Sequence, residues 1–254
     1  YVLGMGFILS SGEAKRMISA DRMNAEVILP YMNGEDLNSA PSQAASRWVI
    51  NFWDWPEQRA ARYSQPYRWL REHVYEERLA KSKEKSYRHI MSMWWLHWNA
   101  RPGLYHAVGR GRCFIDHPAG WRAALEPMKE VLVAARVGKY FAPSIVPNDA
   151  VFSEQVAVFA VRSPHAYAAL LNSSLADAWV RKQSSTFGTG LRFAPSDAVE
   201  TFPFLATAAL TSLGALGRGY LLARRKIMGD RASPIALTKL YNRFHDEDDA
   251  DARI

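Results

Sequence analysis

A single cysteine, Cys113, stands in 254 residues. Its isolation excludes a disulfide framework and any multi-cysteine zinc site, and fits a reducing compartment. Nowhere does an apolar run approach the roughly 18 to 20 residues of a membrane span, and no charged-then-apolar leader opens the chain. The sequence reads as soluble and cytoplasmic, with no membrane partner.

Chemistry-bearing motifs are also scarce. A methyltransferase acting on an exocyclic amine needs a glycine-rich turn for its cofactor and an Asn or Asp followed by two prolines and an aromatic, yet no two prolines are adjacent here. Gly4-Met-Gly6, Gly109-Arg-Gly111, Gly188-Thr-Gly190 and Gly217-Arg-Gly219 are isolated pairs rather than a dinucleotide fingerprint. There is no phosphate-binding Gly-x-x-x-x-Gly-Lys, no His-Glu-x-x-His and no nucleophile elbow. Glu13-Ala-Lys15 matches the end of a metal-dependent nuclease signature, but three residues recur by chance. His97 and His106, in and after a tryptophan-rich stretch, read as core histidines with one hydrogen bond each. No catalytic, cofactor or metal residue is therefore assigned.

The chain is rich instead in apolar residues, 48%, and in positive charge, net +7. That suffices for one large core, or one domain and a smaller appendage. Between Arg59 and Arg112 twelve Lys/Arg face four Glu, either a polyanion surface or a solvated helix face with pairs such as Glu77 and Lys81. Met91, Met93, Trp94, Trp95 and Trp98 cluster at helical spacing, as core residues do. The chain opens on Tyr1 rather than Met and ends in the acidic run His245-Asp-Glu-Asp-Asp-Ala-Asp251, which reads as a piece of a longer polypeptide.

Local patterns predict mixed elements. Ser10-Ser-Gly-Glu13 has capping-box spacing and opens a helix through Ile18. Strands are expected at 27–31, 48–52, 112–116, 130–137 and 155–161, with a turn at Asn33-Gly34. Helices are expected at 67–81, 86–99, 164–171 and 175–182, and a helical part from about Ala206. Without regular strand–helix alternation the class is α+β, a mixed sheet with a small helical C-terminal appendage.

Taken in order, Val27-Ile-Leu-Pro-Tyr-Met-Asn-Gly-Glu-Asp-Leu-Asn38, Arg47-Trp-Val-Ile-Asn-Phe52, Trp94-Trp95 with Arg101-Pro102, Val131-Leu-Val-Ala-Ala-Arg-Val137 and Leu191-Arg-Phe-Ala-Pro-Ser-Asp197 with Thr201-Phe-Pro-Phe204 form a series. The series resembles the target-recognition region of fused type II (IIG/IIL-like) restriction-modification enzymes and related adenine-N6 DNA methyltransferases. The resemblance implies a DNA target-recognition domain over 1–205. Residues 206–254 are then the start of a helical segment, marked by Leu237-Thr-Lys-Leu-Tyr-Asn242. Leu205 departs from the family, which has a second proline there, and the helical part stops early. The implied partners are double-stranded DNA and an N-terminal methyltransferase module of the same polypeptide. That module would bind S-adenosylmethionine, with a nuclease in some relatives, so this chain alone would supply specificity rather than catalysis.

The resemblance places the loop 184–197 on the side facing DNA. Ser184, Ser185, Thr186 and Thr189 offer short hydroxyls to phosphates, glycines 188 and 190 permit close approach, and Lys182 and Arg192 bracket the loop with charge. A second surface is the exit of the strand ending at Arg136, Gly138, Lys139 and Tyr140. Arginine can pair bidentately with guanine, so Arg136 is the expected base reader. Arg110 and Arg112 form a third basic turn suited to backbone positioning. Two other classes stay open: an interaction or scaffold domain whose basic face is incidental, and a nuclease using Glu13 and Lys15.

Overall fold

Among the described residues, short and mostly apolar runs form ten strands. In chain order these are β1 (Ile8–Leu9), β2 (Ile28–Met32), β3 (Arg47–Ile50), β4 (Glu130–Ala135), β5 (Val137–Gly138), β6 (Ser144–Pro147), β7 (Val151–Phe152), β8 (Val156–Phe159), β9 (Ser185–Phe187) and β10 (Gly190–Arg192). They belong, with the helices, to an α+β fold. The computed structural model describes residues 4–122, 126–187 and 190–246. It divides into two compact units that are discontinuous in sequence. Unit 1 takes the residues up to Tyr31, Ala45–Pro127 and Asp149–Val151; unit 2 takes Met32–Ala44, Met128–Asn148 and the residues from Phe152 on.

Unit 1 is built around a sheet in the order β1-β3-β2-β7, antiparallel where β3 pairs with β1 and β2, with Ile8 opposite Val49 and Ile28 opposite Ile50. The helix Ser11–Ala20 starts as its sequence predicts. The Ser10 hydroxyl accepts from the Glu13 amide, and the Glu13 carboxylate accepts from the Ser10 amide at 2.8 Å. The Ser10 hydroxyl also donates to that carboxylate at 2.7 Å; this bond first, and the one from the Ser10 amide second, hold the Glu13 carboxyl below its usual range, and together they give Glu13 a capping role. The expected helix at 67–81 is two helices, Ser64–His73 and Tyr75–Lys81, separated at Val74, and the Glu77–Lys81 ion pair forms at 3.0 Å.

The expected α-helix at 86–99 is absent. Lys85–Met93 winds as 3-10 turns, the Met93 carbonyl accepts from the Leu96 amide three residues on, and the carbonyls of Met93 and Leu96 also accept from the buried Arg78 guanidinium. Trp94 and Trp95 are buried as core residues. Each indole N–H has an acceptor, Glu57 Oε1 at 2.9 Å and the Trp55 carbonyl at 2.8 Å. The expected strand at 112–116 is also absent: Gly111–Cys113 is a 3-10 turn. The amides of Ile115 and Asp116, which a strand would pair with backbone, donate to the Asp54 carboxylate.

Unit 2 centres on the antiparallel sheet β6-β4-β8. Residues Val131 to Ala134 of the middle strand are all buried, which explains why β4 reads as an unbroken apolar run rather than an alternation. The helices Pro164–Leu171, Ser174–Gln183 and Gly214–Met228 share its core with Leu132, Phe141 and Phe193. Gly217 lies so close to the His165 carbonyl that a methyl group there would overlap it. The helix Leu237–Phe244 packs through Leu237 and Leu240 against Ala142 and Met228.

These helices therefore belong to the core of unit 2. Leu221, for example, packs with Leu171 and Val180. One further expectation is corrected. Asn33-Gly34, expected as a turn, is the start of the helix Gly34–Asn38, with Asn33 Oδ1 accepting from the Glu35 and Asp36 amides. Thr201-Phe-Pro-Phe204 turns tightly, with Phe204 N–H donating to the Phe202 carbonyl. Among the described residues no helix is long and apolar enough to cross a membrane.

Candidate nucleic-acid interface

The two sequence-distant surfaces, the 136–140 strand exit and the 184–197 loop, are one structural element in unit 2. The loop is a hairpin: β9 pairs with β10, and β10 pairs with β5, giving a three-stranded antiparallel sheet in the order β5-β10-β9. Leu191 lies opposite Gly138 and Arg192 opposite Val137. Ser185 lies opposite Arg192 on the other side, and its hydroxyl closes the hairpin by donating to the Arg192 carbonyl at 3.1 Å.

Register then sorts the side chains. Directly opposed residues share a face, so Val137, Arg192 and Ser185 form one row. All three are exposed. Lys139, two residues beyond Val137, is exposed as well. Phe193, whose N–H donates to the Arg136 carbonyl at 3.0 Å, is buried in the core.

Arg136 occupies the step between β4 and β5. Its N–H donates to the Gln155 carbonyl at 2.7 Å, its Nη1 reaches the Glu154 carbonyl at 3.4 Å, and it is half-buried. Asn38, at the end of the helix Gly34–Asn38, donates through Nδ2 to the Val137 carbonyl at 3.0 Å. A Cβ at Gly138 would stand 3.0 Å from that nitrogen, which is what the glycine accommodates. Lys139 Nζ and Tyr140 Oη both donate to Asn242 Oδ1, at 2.6 and 3.0 Å. The Tyr140 ring stacks on His245 with centroids 5.1 Å apart, and the Arg181 guanidinium lies 5.8 Å from it. Arg181 is itself paired with Asp177 at 2.7 Å.

The remaining predicted contacts divide. Lys182 is exposed on the last turn of the helix Ser174–Gln183. The Ser184 hydroxyl is shielded from solvent. Thr186 contributes its backbone to β9, opposite Leu191, while Gly188 and Thr189 lie outside the described residues. Arg110 and Arg112 belong to unit 1. There Arg110 donates to the Ala150 carbonyl at 2.6 Å and lies 5.5 and 5.1 Å from the rings of Trp53 and Tyr105, so much of its bonding capacity is spent on its own unit. Arg112 is exposed on its 3-10 turn.

Sequence reasoning missed Asn38, Arg181 and Asn242. The stretch ending at Asn242 stood out as a motif, but nothing local says which side chains its amide meets. Several of the paired glycines serve packing: at Gly109, φ is +80° and a Cβ would lie 2.5 Å from the Glu126 carbonyl oxygen. Among the described residues no three His, Cys, Asp or Glu side chains gather as metal ligands would.

No known family's sequence profile matches the chain, and no curated protein matches it in sequence. Solved structures do. Type IIL restriction-modification enzyme MmeI, solved in complex with DNA, superposes with a TM-score of 0.62 at 16% identity. The match covers 93% of this chain and 28% of the MmeI chain, so this chain spans little more than a quarter of that protein. Nearly the whole chain thus shares its fold with one segment of a restriction-modification enzyme.

Proposed function

We propose that this chain reads a sequence in double-stranded DNA for a restriction-modification protein, and that the methyl transfer it directs belongs to another module of the same polypeptide. The observation that carries the reading is the fold shared with MmeI over 93% of the chain, the neighbour having been solved on DNA. The β5-β10-β9 sheet adds chemical support. It places Arg192 on an exposed row, and Lys139 and Lys182 are exposed as well, leaving cations open to phosphate contacts. Arg136, fixed through its backbone at the strand step, is the proposed base reader. In this reading the absent module binds S-adenosylmethionine and acts on the N6 of adenine. Such chemistry extrudes the target base, so the role of these residues is to hold register on a distorted duplex.

The test is selection of duplexes from a randomised pool, followed by binding at several salt concentrations. An enriched sequence is expected. Arg192→Ala and Lys182→Ala should each weaken all duplexes alike and lower the salt slope by about one. Failure to enrich any sequence, with affinity indifferent to salt, would favour a scaffold domain whose positive charge is incidental.

A further inference from the structure

We infer that Asn242, outside the expected recognition segment, is a positioning residue for sequence reading: it fixes the 136–140 segment from the C-terminal helix. The inference deepens the DNA-recognition reading and rests on it. Four successive anchors hold this segment, all within unit 2. The Arg136 backbone is bonded at both N–H and C=O, to Gln155 and Phe193. The Val137 carbonyl accepts from Asn38. Lys139 and Tyr140 converge on the single oxygen Asn242 Oδ1. The helices that carry Asn38 and Asn242 are themselves tied, Thr238 Oγ1 donating to the Asn38 carbonyl at 3.4 Å.

Removing any one side-chain anchor frees part of a segment that otherwise has one arrangement. The Asn242 anchor is chemically suited to positioning. One acceptor takes a single proton from Lys139, leaving two ammonium donors for a phosphate, and the Tyr140 ring is clamped at the same time by Tyr241 and His245. Asn242 is exposed, so its replacement does not open a core. A contact that reads bases loses discrimination when its support loosens, well before it loses charge.

The experiment compares the 254-residue chain with Asn242→Leu, Asn242→Asp, Tyr140→Phe and the pair Tyr140→Phe/Asn242→Leu. Each is titrated with the selected duplex and with single-mismatch duplexes at one salt concentration, and each melting temperature is recorded. Asn242→Leu is expected to reduce the ratio of matched to mismatched affinity on the order of tenfold, with mismatched affinity unchanged. Asn242→Asp, which keeps the acceptor, should restore the ratio. The double variant should lose less than the product of the two single losses, because both act through one bond. A ratio unaltered in Asn242→Leu overturns the inference, whether or not the melting temperature falls. If the unmodified chain shows no sequence preference at all, the recognition reading fails first and takes the inference with it.

Discussion

His97 should make unit 1 sensitive to mild acid. The imidazole is buried, its Nε2 stands 2.8 Å from the Ile50 carbonyl, and it meets the edge of Phe7 at 5.0 Å. Burial pushes it from the ordinary 6.5 down to about 4; the Ile50 bond opposes this in part, and the charge of Arg78 adds to it. Since the folded value lies below the unfolded one, the unfolded chain takes the proton first. Stability from the neutral ring is therefore complete above about pH 6.5 and drains away as the pH falls toward 4. The full effect is roughly 3 kcal/mol, of which about 2 kcal/mol is lost between pH 7 and pH 5.

The assay is urea unfolding followed by tryptophan fluorescence, which reports mainly on unit 1 because eight of the nine tryptophans lie there. Carboxylates titrate over the same range, so the comparison is with His97→Gln, which keeps an N–H for Ile50 and cannot take up a proton. The variant should start less stable at pH 7 and lose about 2 kcal/mol less between pH 7 and pH 5. Identical pH slopes in the two proteins would refute the reasoning.

Two other perturbations follow from unit 2. Gly217→Ala drives a methyl into the His165 carbonyl; the two helices must separate, at a cost of roughly 1 to 3 kcal/mol, readable as a lower midpoint in chemical unfolding followed by circular dichroism. Arg224 is buried and donates to Asn172 Oδ1, the Pro143 carbonyl and Ser144 Oγ, at 3.0, 2.9 and 2.7 Å. Arg224→Lys keeps the charge but cannot span all three acceptors, so a loss of about 2 kcal/mol or more in chemical unfolding is expected; an unchanged midpoint would show that the fork is dispensable.

What was legible in the sequence is what local physics determines. The Ser10/Glu13 box, the apolar run of β4 and the helix Pro164–Leu171 each follow from residues within one or two turns. Asn33-Gly34 misled because the pair suits a turn, and it is Asp36, whose carboxylate accepts from the Asn33 amide at 2.9 Å, that reveals a helix start. The end of the 3-10 segment Lys85–Met93 is bonded by Arg78, from the preceding helix. For the candidate site, the residue types were readable and their assembly was not. Arg192 meets Val137 across a gap no periodicity spans, and Ser184 looks like any loop serine until its hydroxyl is found enclosed.

The discontinuity of unit 2 bears on how the polypeptide is made. Asn38 and the Val137 carbonyl it caps are 99 residues apart, and Leu37, buried in the finished fold, belongs to the same early segment. At roughly 5 to 20 residues per second of synthesis, the 32–44 segment waits about 5 to 20 s on the ribosome for the strand it will meet. Through that interval an apolar surface has no native cover, and closing so long a loop is itself slow. Translation speed between codons 45 and 128, rather than final stability, is then where yield of the folded chain would be won or lost.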